Sequence, residues 1–276
     1  MKFTIFGGKG FIGQNLSRYL EGRGHKVWVP SHSALESHGQ ELGNVIYAIG
    51  LTGDFRSRPI DTVNAHVCKL IELLTHSQFD SWLYLSSSRV YSGLPINKPA
   101  REDMALCVNN DLDGLYNISK LMGESICLSI PNKTIKIVRL SNVYGLGQSR
   151  HTFLGEVIDE IVRNGKIIIQ EAADSEKDYI ALNDVLPLLE SIAISGKKRI
   201  YNVASGQPLR HDQLANKLIA LTGCEIQFKQ NAVSRKFPLI DISQIQSEFG
   251  FIASKMDMIL TNLIEESKMT NETRGR

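Results

Sequence analysis

Apolar residues fall along this chain in two alternating patterns. Short, nearly unbroken apolar runs at 3–6, 25–29, 44–49, 82–86, 135–140 and 199–203 predict buried strands, the second of them stopped by Pro30. Between them, apolar positions recur at helical spacing over 11–20, 61–76, 112–129 and 184–195. Strands that alternate with helices in this way imply a parallel sheet covered on both faces, an α/β fold of the Rossmann type, doubly wound. After Ala204 the pattern changes to an amphipathic helix at 212–221, a short strand at 225–229 and helical pieces at 242–249 and 256–265. We therefore assign 1–147 and 178–204 to the sheet domain, and 148–177 and 205–267 to a small α/β C-terminal lobe. The polar stretch 268–276 is expected to form a frayed tail.

The first strand runs into Gly7-Gly8-Lys9-Gly10-Phe11-Ile12-Gly13, which satisfies both G-x-G-x-x-G and G-x-x-G-x-x-G between a strand and a helix. Such a loop turns tightly, lets a pyrophosphate approach the backbone and packs its last glycine against the strand, with the phosphates at a helix N-terminus. Gly7, Lys9, Gly10, Phe11, Ile12 and Gly13 are thus candidate contacts to a dinucleotide, NAD(P). An acid usually ends the second strand of NAD binders to hold the ribose hydroxyls, but Val29-Pro30-Ser31-His32-Ser33 stands there instead. Its absence removes repulsion of a 2'-phosphate, and Lys9, Ser31, His32 and Ser33 are placed to meet one, which favours NADP(H). In the alternative, Lys9 points into solvent and the backbone binds NAD without an acid.

Composition narrows the partners. A formal net charge of +2 creates no basic field for nucleic acid. Cys68, Cys107, Cys127 and Cys224 form no C-x-x-C pair, and the histidines show no ligand spacing beside them, which suits a reduced, metal-free, cytoplasmic protein. The start of the chain lacks signal-peptide features and no apolar run is long enough for a membrane span.

Tyr116 and Lys120 lie four residues apart in a predicted helix, on one face. An ammonium roughly 5 Å from a phenol, at an effective dielectric near 20, favours the phenolate by about 3 kcal/mol, or roughly two pKa units. The pair therefore suggests proton transfer near neutral pH.

With the glycine loop before it and Tyr116-x-x-x-Lys120 within it, the chain resembles the extended short-chain dehydrogenase/reductase family, also called the NAD-dependent epimerase/dehydratase family. Further segments match in order: 45–51, Asn64, 85–91, 139–145, 177–185 and 201–206. The resemblance implies that Ala48, Ile49, Gly50 and Asn64 adjoin the cofactor and that Lys120 holds the nicotinamide ribose. It also implies that Tyr116 exchanges a proton with a substrate oxygen to which Ser87 hydrogen-bonds, Ser88 being the rival if the register slips. The implied substrate is a nucleotide-diphosphate sugar, contacted by Ser88, Asn142 and Arg235, and the implied activity that of a 4-ketoreductase or 4-epimerase. A redox-silent NAD(P)-binding regulator and a reductase of a non-sugar carbonyl are the alternatives. Arg56 and Arg58 either meet an anionic ligand or form a solvated charge pair. The chain departs from the family pattern in three places, one of them a compact C-terminal lobe that suits a ketoreductase or an epimerase acting on a modest substrate. Too few residues separate the second strand from Asn44 for the usual helix and strand, and Ser88-Arg89 stand where dehydratases place an acidic pair, which disfavours elimination of water. Family members often dimerise through the helices matching 61–76 and 112–129, so a homodimer is expected.

Overall fold

The computed structural model describes residues 1–31, 41–51 and 53–274. Its main sheet contains β1 (Lys2–Phe6), β2 (Lys26–Trp28), β3 (Asn44–Tyr47), β4 (Ser81–Ser87), β5 (Ile135–Leu140) and β9 (Ile200–Val203). These strands are all parallel and lie in the order β2-β1-β3-β4-β5-β9. Period-two alternation sends their side chains into two separate cores. Phe3, Ile5, Ile46, Leu83, Leu85, Val138 and Leu140 pack on one face with α1 (Phe11–Gly22) and α6 (Leu182–Ser195). Phe6, Val45, Tyr47, Trp82, Tyr84, Ile135 and Ile137 pack on the other with α3 (Lys69–His76) and α4 (Leu112–Ser129). Both faces are covered, so the strands carry apolar residues on both sides, as an all-parallel sheet requires. Among the described residues no strand lies beyond β2 at that edge.

The lobe has its own core. A three-stranded sheet joins β6 (Asn142–Tyr144), β8 (Glu176–Ala181) and β10 (Pro208–Arg210), and β7 (Lys166–Ile169) pairs in parallel with β11 (Glu225–Phe228). Tyr144, Tyr179 and Ala181 pack there with residues of α5 (Phe153–Asn164), α7 (His211–Thr222) and α9 (Asp257–Arg274). Between β11 and α9, α8 (Ser243–Phe249) sends Ile245 back into the main core.

Two elements differ from the sequence reading. The expected helix at 61–76 is three pieces: α2 (Pro59–Val63), a π-helical turn (Asn64–Cys68) and α3. The expected frayed tail is helical as far as Arg274, with Lys268 paired to Glu265 and Thr270 Oγ1 donating to the Glu266 carbonyl. Local pairs of this kind support helix even where no apolar face demands it.

Candidate active site

The glycine loop, residues 48–50 and Ser87 leave the main sheet from its carboxyl edge. Phe6 pairs with Tyr47 and Tyr47 with Tyr84, so the glycine loop, residues 48–50 and Ser87 emerge side by side. Gly7 adopts φ +86°, and a Cβ there would stand 2.6 Å from the Ala48 carbonyl carbon. A Cβ on Gly13 would stand 2.4 Å from the Gly7 carbonyl oxygen, which is why helix and loop can touch only through glycine. At Gly10 a Cβ would meet nothing closer than 3.4 Å, so that face of the loop is open. No acidic residue occupies the first turn of α1, and Gly10 caps it without a side chain, leaving its amides for an anion. This cradle fits a dinucleotide pyrophosphate. The Phe11 and Ile12 side chains pack against the main core. Lys9 and Ser31 are exposed, and His32 and Ser33 lie outside the described residues.

Asp111 caps α4 by accepting from the Gly114 amide at 2.6 Å, and the helix lays Tyr116 and Lys120, each 5% exposed, against β4. Lys120 Nζ donates to the Leu85 carbonyl at 2.9 Å and lies 6.0 Å from the Tyr116 ring centroid. The two groups titrate differently from the sequence expectation. Burial raises the phenol pKa, and the opposing influences are hydrogen bonding with Ser87 and the Arg89 charge, not the Lys120 charge. Burial also pushes the lysine itself down, to about 7, against the pull of Glu124. Desolvation therefore outweighs the expected lowering of Tyr116 by its neighbour.

The sequence reading missed His66. The π-helical turn places its ring, fully buried, edge-on to Tyr116 with centroids 5.3 Å apart. Its Nδ1 lies 2.8 Å from Ser119 Oγ, whose single proton goes to the Tyr116 carbonyl at 2.9 Å. Ser119 must then accept from Nδ1–H, which leaves Nε2 as a bare acceptor. That nitrogen has no hydrogen-bond partner among the described residues and faces Gly50, where a Cβ would stand 3.1 Å from it and 3.3 Å from Lys120 Nζ. Burial and the Lys120 charge push the imidazole pKa down to about 2, so the ring is neutral. Asn64, expected beside the cofactor, has an exposed side chain and uses its carbonyl to accept from the Lys69 amide within the turn. A signal was available: His66 shares the apolar helix face of Leu70 and Leu73, an unusual place for a polar residue.

Ser87 ends β4 opposite Leu140 and accepts from the Arg89 amide at 3.2 Å, opening the short turn Ser88–Tyr91. The rim around Tyr116 is aromatic and cationic. Phe55 packs 5.1 Å from the Tyr116 ring, Arg56 stacks on Phe55 at 4.6 Å while bonded to Asp113, and Arg89 faces both rings. Arg58 is instead in the solvated ion-pair arrangement, exposed between Asp54 and Asp61. On the lobe side, Lys177 sits 3.6 Å above the Phe153 ring and pairs with Glu171, and burial lowers its pKa. Arg235 is exposed, its charge felt at Arg89, Asp113 and Lys177. Asn142 is exposed and donates to the Asp178 carbonyl at 2.7 Å, so its amide is already engaged by the lobe sheet.

The family model described as NAD dependent epimerase/dehydratase family matches residues 3–204. The chain belongs to this family. No curated protein matches it. Solved structures share its fold at low identity. The structure of RMD from Pseudomonas aeruginosa, complexed with NADPH, is 20% identical with TM-score 0.84, covering 98% of this chain and 100% of that one. A UDP-glucose 4-epimerase from Thermotoga maritima, with UDP-glucose, is 18% identical with TM-score 0.83 at the same coverage. MoeE5 in complex with UDP-glucose and NAD is 20% identical, with TM-score 0.82 and again 98% and 100% coverage. Among the described residues no helix is long and apolar enough to cross a membrane.

Proposed function

We propose that this protein is an NAD(P)-dependent oxidoreductase of a nucleotide-diphosphate sugar, acting as a 4-ketoreductase or 4-epimerase. The observation that carries the reading is the placement of Tyr116 and Lys120, both buried on α4 against β4, with Ser87 at the end of that strand and the open glycine cradle on the same sheet edge. A nicotinamide dinucleotide, when bound, supplies or accepts the hydride. The chain's own residues manage the oxygen: the Tyr116 hydroxyl exchanges the proton and Ser87 bonds the same atom. Lys120, held at the Leu85 carbonyl with its pKa lowered by burial to about 7, is the residue we assign to the nicotinamide ribose. The sugar class is supported by the complexes of the fold neighbours with UDP-glucose. NADP(H) is favoured by the missing acid after β2, and Lys9→Ala is expected to weaken NADPH more than NADH in paired titrations. Tyr116→Phe tests the chemistry: dinucleotide affinity stays and turnover falls at least about a hundredfold, the scale of a general acid or base. Near-normal turnover would remove Tyr116 from the mechanism.

A further inference from the structure

Arg89 carries a charge that the protein leaves unanswered. Three cations near the site have carboxylate partners: Arg56 holds Asp113, Arg58 holds Asp54 and Asp61, and Lys177 holds Glu171. Arg89 is half-buried, and among the described residues its guanidinium makes no ion pair and lies over two rings, 5.0 Å from the Phe55 centroid and 5.7 Å from that of Tyr116. The nearby charges do not relieve it. Arg56 and Arg235 repel it, and Asp113, which attracts it, is already taken by Arg56. A partly desolvated guanidinium without an anion is costly, and the stacked planar fork is pre-set for a bidentate oxyanion. Its backbone is fixed too, because the Arg89 amide donates to Ser87 Oγ in the turn that follows β4. The backbone that carries the fork is thus bonded to the serine proposed above to meet the reacting oxygen.

Sugar geometry decides which anion it meets. In a pyranose that presents the oxygen on carbon 4 to Tyr116 and Ser87, the diphosphate on carbon 1 lies across the ring, pointing away from the phenol. Carbons 3 and 5 are both neighbours of the reacting carbon, and of the two only carbon 5 carries an exocyclic carbon that can be a carboxylate. A guanidinium stacked on the Tyr116 ring lies beside that substituent, while the exposed Arg235 is the cation available to the diphosphate. We propose that Arg89 binds a carboxylate on carbon 5 of the sugar, so that the substrate is a nucleotide-diphosphate hexuronic acid. This rests on the nucleotide-sugar reading above and names the sugar class within it.

Calorimetric titration of dinucleotide-loaded wild type, Arg89→Gln and Arg89→Lys tests it. The titrants are hexose and hexuronate pairs on UDP, dTDP, GDP and CDP, together with the four free nucleoside diphosphates. For one nucleotide, wild type is expected to bind the hexuronate about tenfold or more tighter than the neutral hexose, the scale of a hydrogen-bonded charge pair. Arg89→Gln should erase that preference while leaving affinity for hexose, free nucleoside diphosphate and dinucleotide unchanged, and Arg89→Lys should keep part of it. Unchanged dinucleotide affinity shows that the variants fold. A wild type that binds hexose and hexuronate equally overturns the carboxylate assignment and leaves the nucleotide-sugar reading standing. Equal weakening of free nucleoside diphosphate in Arg89→Gln overturns it in favour of a diphosphate contact. Failure of every nucleotide and nucleotide sugar to bind wild type overturns both.

Discussion

Lys120 and His66 are two basic side chains buried against each other, and both are shifted toward neutrality. Their linkage to folding has the same sign. Lys120 titrates near 7 when folded and near 10.5 when unfolded, so the unfolded chain binds more protons between those values and stability rises with pH across that window. His66 does the same between about 2 and 6.5, so its contribution is complete above pH 6.5 and is lost as the solution is acidified. Lys120→Met should therefore be more stable relative to wild type at pH 6.5 than at pH 9.5, by up to a few kcal/mol in chemical denaturation. A difference independent of pH would show that the ammonium is not desolvated. His66→Leu should flatten the fall in stability between pH 6.5 and 4, and an unchanged acid limb would place the proton uptake elsewhere.

At the scale of elements, the glycine loop and the interrupted helix 59–76 do most to place the site. Gly13→Ala forces a Cβ against the Gly7 carbonyl, a backbone atom that cannot step aside. Its expected result is a loss of about 1–3 kcal/mol of stability and of dinucleotide binding, measured together by thermal unfolding with and without NADPH. The π-helical turn matters because it turns His66 inward. From sequence the stretch reads as one regular helix, since hydrophobic periodicity does not register a single residue of extra winding. On the outer faces of these helices Ile60, Ile71, Ile118 and Met122 are between 38% and 72% exposed. We propose that a second copy packs on these residues, the homodimer that the family resemblance implies. Light scattering at micromolar concentration should give twice the chain mass, and Ile118→Glu with Met122→Glu should halve it. A monomeric wild type would contradict the dimer.

Across the whole molecule, what could be read from sequence was what local pattern controls. Apolar runs of four to six residues revealed the main strands, and the glycine spacing located the turn after β1. The lobe was harder because β6 and β10 are three residues long and owe their existence to pairing with β8, a tertiary fact without a periodic signature. The candidate site was legible as a set of residues and less so as an electrostatic system. Tyr116, Lys120 and Ser87 do meet, but the expected Tyr116–Lys120 coupling gives way to burial, and Arg89, seen in the sequence only as the loss of an acid, supplies the charge beside the phenol. Burial depends on the packing of α4 against β4, which residue spacing alone does not reveal. The central claim is redox chemistry at a sugar carbon, and it is tested most directly by incubating the purified protein with nucleotide sugars and 4-keto nucleotide sugars and each of NAD, NADH, NADP and NADPH. Nicotinamide absorbance and product stereochemistry are followed together. A change at carbon 4, with net cofactor consumption for a ketoreductase or without it for an epimerase, is the expected result, and retention of every substrate unchanged would contradict the account.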